Sequence, residues 1–121
     1  MCEFIVPIRL VCGANSREHH MARARRIAYE HRIVTLAMDA HVRHALRGVP
    51  CTVTLTRIAP RALDVDDNLP SASKGPRDAI AKWLGVDDRT ADVVKYVYAQ
   101  RRGRPHEYAL WVAISERGIG E

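Results

Sequence analysis

Residues 51–58 read Cys51-Thr52-Val53-Thr54-Leu55-Thr56-Arg57-Ile58. Val53, Leu55 and Arg57 alternate with Thr52, Thr54 and Thr56. In a strand, successive side chains point to opposite faces, so a period of two predicts a strand here. β-branched Val and Thr suit a pleated surface. On the N-terminal side, Gly48-Val49-Pro50 ends a helical pattern. On the C-terminal side, Ala59-Pro60-Arg61 leaves the sheet.

Further upstream, Glu3 to Cys12 reads as a strand carrying Phe4, Ile5, Val6, Ile8, Leu10 and Val11. Gly13-Ala14 turns the chain. Asn15 can cap a helix, with Glu18 at the reciprocal capping position. That helix is expected to run to about Arg47, with Ala24, Ile27, Val34, Met38, Val42 and Ala45 in one apolar stripe. It is long for a small domain, which leaves room for a break. Downstream, Leu69 to Leu84 carries a helical face of Leu69, Ala72, Pro76, Ile80 and Trp83. Gly75-Pro76 interrupts it. Either the helix proper begins at Pro76, or a longer helix kinks there. Gly85 closes it. Asp92 to Gln100 is rich in β-formers, Arg101 to Pro105 is a basic turn, and Tyr108 to Ser115 is the last strand, completing a hairpin. The order β-α-β-α-β-β predicts an α/β (α+β) fold, a mixed sheet packed against helices.

The 121 residues suggest one domain, spanning residues 1–121, with one core. Net charge is +5, but its distribution says more. From Asp64 to Asp92 there are seven acids against four bases, and the rest of the chain carries fifteen bases against seven acids. Sixteen of the nineteen bases are Arg. The planar guanidinium donates two parallel hydrogen bonds, which suits phosphate. Three cysteines (Cys2, Cys12 and Cys51) with no CxxC spacing argue against a disulfide framework and against a zinc ribbon. The N-terminal apolar run, broken by Glu3, Pro7 and Arg9, is too short to span a membrane and lacks a signal-peptide layout, so no membrane partner is expected.

The chemistry concentrates in Asp64-Val65-Asp66-Asp67-Asn68, with Asp87-Asp88 after the next helix and Lys74 between them. Acids packed this closely repel one another unless they are fully solvated or hold a cation. Carboxylate oxygens hold Mg²⁺ and leave it several waters for substrate phosphates. The plainer reading is a loop in which Asp and Asn bond their own backbone and cap a helix. The two acid groups serve one site only if their loops fold to the same edge of the sheet. His19-His20 and the His41/His44 pair lack the partners of a zinc motif, and His31 falls toward the apolar stripe. Arg17, Arg23, Arg25, Arg26 and Arg32 load the long helix, and Arg101, Arg102 and Arg104 load the last turn. Either group suits phosphate or forms a solvated face. Few aromatics interleave them, so a single-strand stacking platform is not expected.

Asp64 to Leu69, then Lys74, then Arg77-Asp78-Ala79-Ile80, then Gly85-Val86-Asp87-Asp88, resemble the RusA-type Holliday junction resolvases, and in particular their phage-borne branch. The likeness runs from Leu63 to Asp88, and the neighbouring strands agree in order. It implies a homodimeric, Mg²⁺-dependent endonuclease (Mn²⁺ as an alternative) that nicks branched DNA, in the cytoplasm of a bacterial or phage-infected cell. It implies that Asp67 and Asp88 are metal ligands and catalytic residues, and that Lys74 is the helix lysine acting on phosphate. Val65 stands where the family has an acid, so either Asp64 or Asp66 takes that role. The expected metal set is Asp64, Asp66, Asp67 and Asp88, with Arg101, Arg102, Arg104 and Lys74 on DNA. The rival expectation is a non-catalytic DNA-binding dimer of the same fold. A phosphate-ester enzyme acting on nucleotides is disfavoured, because no nucleotide-binding glycine loop occurs.

Overall fold

The computed structural model describes residues 2–10, 20–63, 68–86 and 92–117. Strand β1 (Cys2–Val6) is followed by helix α1 (His20–His41) and a single 3₁₀ turn (His44–Leu46). Then come β2 (Cys51–Ala59), α2 (Asn68–Ala72), α3 (Lys74–Leu84), β3 (Val94–Arg102) and β4 (Ala109–Glu116). The mixed sheet has the order β1-β4-β2-β3. β2 and β3 are parallel, joined by the α2–α3 crossover, while β4 is antiparallel to both β1 and β2.

The alternation read in residues 51–58 holds. Cys51, Val53, Leu55 and Arg57 face inward, and Thr52, Thr54 and Thr56 face the other side. Register puts Val53 beside Ile114, and Leu55 beside Val112. Phe4, Val6, Val34, Met38, Ile80, Trp83 and Leu84 join them in one core, so α1 and α3 pack on that face. The face of Leu69, Ala72, Pro76, Ile80 and Trp83 is buried as expected. Trp83 also donates its indole N–H to Asp39 at 2.8 Å, tying α3 to α1.

Several expectations need correction. β1 ends at Val6, not Cys12: Pro7 has no N–H for the ladder, and Ile8 N–H bonds back to Val6 at 2.8 Å in a tight turn. The long helix breaks after His41, and its first residues, Asn15 to His19, lie outside the described residues. Ala24 and Ile27, in the first part of α1, and Ala45, in the 3₁₀ turn beyond it, are exposed rather than part of the core stripe. The crossover breaks at Ser73, whose hydroxyl bonds the Leu69 carbonyl at 3.0 Å. α3 then starts at Lys74, with Pro76 in a first turn whose N–H groups have no helical partner anyway. Gly85 ends α3 at φ +73, with Val86 N–H on Ala81 and Gly85 N–H on Lys82. The expected final hairpin does not form. β2 lies between β3 and β4, and Arg101 and Arg102 belong to β3. Strand pairing depends on the whole sheet, and short sequence separation alone suggested neighbours that are not neighbours.

Candidate functional site

The C-terminal ends of β1, β2 and β3 and the start of β4 share one edge of the sheet. In open sheets with parallel strands, ligands tend to bind outside those carboxyl ends. Here the edge is loaded with arginine. Ile58 and Ala59 of β2 pair with Arg101 and Arg102. Arg57 precedes them on the core face, and Arg61 follows in the loop. Arg9 stacks its guanidinium 4.4 Å from the Tyr108 ring centre, just ahead of β4. Arg104 stands in the link from β3 to β4.

That link is rigidly built. Gly103 N–H bonds Ala59 at 2.8 Å, so the chain crosses the end of β2. Glu107 N–H bonds the Arg104 carbonyl at 3.0 Å, enclosing Pro105 and His106. His106 has φ 65, the third-position conformation of a type II turn, which Pro105 favours by fixing the preceding φ. Glu107 accepts from Arg104 N–H at 2.9 Å and lies 3.9 Å from the Arg101 guanidinium. Both members of that ion pair are exposed, so it holds Arg101 only weakly.

The four expected metal ligands, Asp64, Asp66, Asp67 and Asp88, lie outside the described residues, as does Asp87. Their flanks are described. Leu63 is held by Gln100 of β3 through two hydrogen bonds, 2.9 and 2.7 Å, and Asn68 opens α2. Leu63, which precedes the first acidic stretch in sequence, is therefore held at the arginine-rich edge. Lys74 stands at the same end, exposed, as the first residue of α3. Val86 lies past the opposite end of α3, about 16 Å along an eleven-residue helix. Among the described residues, no three His, Cys, Asp or Glu side chains gather as a metal site. A set of aspartate oxygens is the donor chemistry that suits Mg²⁺.

Sequence reasoning missed Glu30. It is 2% exposed on α1 and pairs with Arg26 at 3.2 Å. Its carboxylate occupies the space a Cβ on Gly75 would need, 2.5 Å from that point, which explains a glycine in the first turn of α3. One of only two acids in an arginine-rich helix, Glu30 gave no periodic signal. The reading also missed Arg9, Arg57 and Arg61, which are scattered in sequence and converge only through strand order. Arg77 is not free for a ligand. It donates to the Tyr98 hydroxyl at 3.2 Å and to Asp78 at 3.5 Å.

Tyr96, beside Arg77 on β3, has a buried hydroxyl without a hydrogen-bond partner. Burial pushes its pKa up to about 12, against the opposing pull of the Arg77 charge. The folded state thus keeps this proton where the unfolded chain, near pH 10, gives it up. The Tyr96 contribution is constant below pH 10, and stability falls as pH rises from 10 toward 12. Tyr96→Phe is expected to leave stability at pH 7 unchanged or raised by about 1 kcal/mol, and to flatten the decline between pH 10 and 12. Urea melts across that range check this; an unaltered alkaline slope would count against it.

No helix among the described residues is long and apolar enough to cross a membrane. No protein-family model matches the chain, and no curated protein matches it.

Proposed function

We propose that the protein is a Mg²⁺-dependent, structure-selective endodeoxyribonuclease of RusA type that resolves four-way junctions by paired nicks. The observation that carries this reading is that Leu63, the residue just before the Asp64–Asp67 stretch in sequence, is fixed to Gln100 at a sheet edge lined with arginine. Phosphates drawn to Arg101, Arg102 and Arg104 would lie beside the acids and Lys74. Asp64, Asp66, Asp67 and Asp88 would hold the metal. Mg²⁺ bound there would supply a water of lowered pKa and Lewis acidity at the scissile phosphate. Lys74 would pair with a phosphate oxygen at the end of α3, where the helix dipole adds to its charge. The exposed arginines would set the register of the backbone without reading bases.

The homodimer belongs to the same reading, since two opposed nicks need two centres. Leu110, Val112 and Ile114 of the last strand are buried in the monomer core and so are not available to its interface. Trp111 faces the helix-free side of the sheet, in a row with Ile5, Thr56 and Ala99. Ile5 is 54% exposed and Val97, on the same face, 39%. Glu3 stands on the β1 edge and Lys95 on the β3 edge, so a face-to-face stack with its two-fold axis along the strands sets acid against base. Light scattering is expected to give a dimer mass, and Ile5→Glu a monomer. A monomeric wild type that still makes paired nicks would remove the dimer.

Cleavage itself is tested with a labelled four-way junction, linear duplex and nucleotides, each with and without Mg²⁺. Junction binding without Mg²⁺-dependent nicking would favour the non-catalytic DNA-binding dimer.

A further inference from the structure

Arg57 is the residue least explained by the fold. It is 8% exposed on the core face of β2, opposite Leu110. One terminal N–H donates to the Arg61 carbonyl at 2.7 Å, but Nε–H is enclosed with no acceptor. Arg117 shares an enclosed Nε–H without an acceptor, but its guanidinium donates to two backbone carbonyls, those of Asp92 and Val93, and other arginines have side-chain partners. Arg26 pairs with Glu30, Arg77 with Tyr98 and Asp78, and Arg101 with Glu107. Among the described residues, no carboxylate pairs with Arg57. Burial lowers its pKa, and the nearby Arg9 charge adds to that, while Tyr108 opposes it. Two guanidiniums near one another, one of them buried and unpaired, are costly in the free protein. Such a cost persists where a ligand relieves it.

We propose that Arg57, with Arg9 and Tyr108 beside it, forms a seat for a phosphate oxyanion of nucleic acid at the C-terminal sheet edge. The seat itself stands on the arginine geometry; assigning the phosphate to nucleic acid rests on the nuclease reading above. A guanidinium matches phosphate with parallel N–H donors, and an anion there also screens Arg9 from Arg57. Arg61, Arg102 and Arg104 extend the positive edge on either side, along which a nucleic-acid backbone can continue.

The test is a ¹H–¹⁵N spectrum of the arginine Nε–H groups in the full chain without Mg²⁺, with the Arg57 resonance assigned by its loss in Arg57→Met. Inorganic phosphate and a short DNA duplex are titrated in separate arms. A saturable shift of the Arg57 resonance is expected in both. Arg57→Met is expected to bind duplex about tenfold more weakly, and Arg57→Lys, which lacks the fork, to remain weaker than wild type. Without ligand, Arg57→Met is expected to melt at or above the wild-type midpoint, because an unpaired buried charge is gone. No saturable shift in either arm overturns the seat, as does an Arg57→Met variant that melts far below wild type. A shift with inorganic phosphate alone overturns the assignment to nucleic acid. None of these readouts needs turnover, so a failed cleavage assay sinks the nuclease reading and leaves the seat standing.

Discussion

Asp67→Asn and Asp88→Asn are each expected to lower junction cleavage by at least about a thousandfold, some 4 kcal/mol of transition-state stabilisation, while junction binding stays level or tightens slightly. Asparagine nearly preserves the shape of aspartate but removes a charge and an anionic oxygen donor. With fewer acids near phosphate, repulsion of DNA falls, so binding does not suffer with catalysis. The two variants are not equivalent tests. Leu63, ahead of the Asp67 stretch, is held at the arginine-rich edge, whereas Val86, ahead of Asp88, lies past the far end of α3. Equal losses mean that both acids serve one centre. A loss at Asp67 alone removes Asp88 from the mechanism, and wild-type turnover in both removes the metal centre altogether. Cleavage under single-turnover conditions, paired with gel-shift affinities in Ca²⁺, separates chemistry from binding.

Neutralising Arg101, Arg102 and Arg104 together to Gln is expected to weaken DNA binding and to flatten its salt dependence. Each phosphate contact contributes roughly 0.9 to the slope of log K against log salt, so the full loss is about 3. All three residues are exposed, and the Arg101–Glu107 pair at 3.9 Å is too weak to withhold Arg101 from phosphate. The turn at Pro105-His106 is held by backbone bonds that the substitutions do not touch, so folding is expected to survive. Fluorescence anisotropy over a salt series measures the slope. An unchanged slope would mean that this edge meets solvent or protein rather than DNA.

The strands and helices were legible where the signal is local. The Thr–Val–Thr–Leu–Thr–Arg alternation marked β2 and even put Arg57 on the inward face, because a strand's period of two is a property of its own backbone. Gly85 marked the end of α3 for the same kind of reason, since a left-handed cap favours glycine. For the acidic stretches and Lys74, residue type and order suggest metal and phosphate chemistry, the assignment proposed above.

Tertiary structure decided the rest. Insertion of β2 between β3 and β4 turned an expected hairpin into a split pair, and it brought Arg9, Arg57, Arg61, Arg101, Arg102 and Arg104 to one edge. Ala24 and Ile27 fit an apolar stripe yet stay exposed, because burial needs a partner surface as well as a periodic pattern. Glu30 is buried because Gly75 leaves space for its carboxylate, a fit between residues 45 positions apart. Periodicity follows from geometry repeated along the chain. Strand order and side-chain convergence follow from the free energy of burying all the faces at once, to which residues far apart in sequence contribute together.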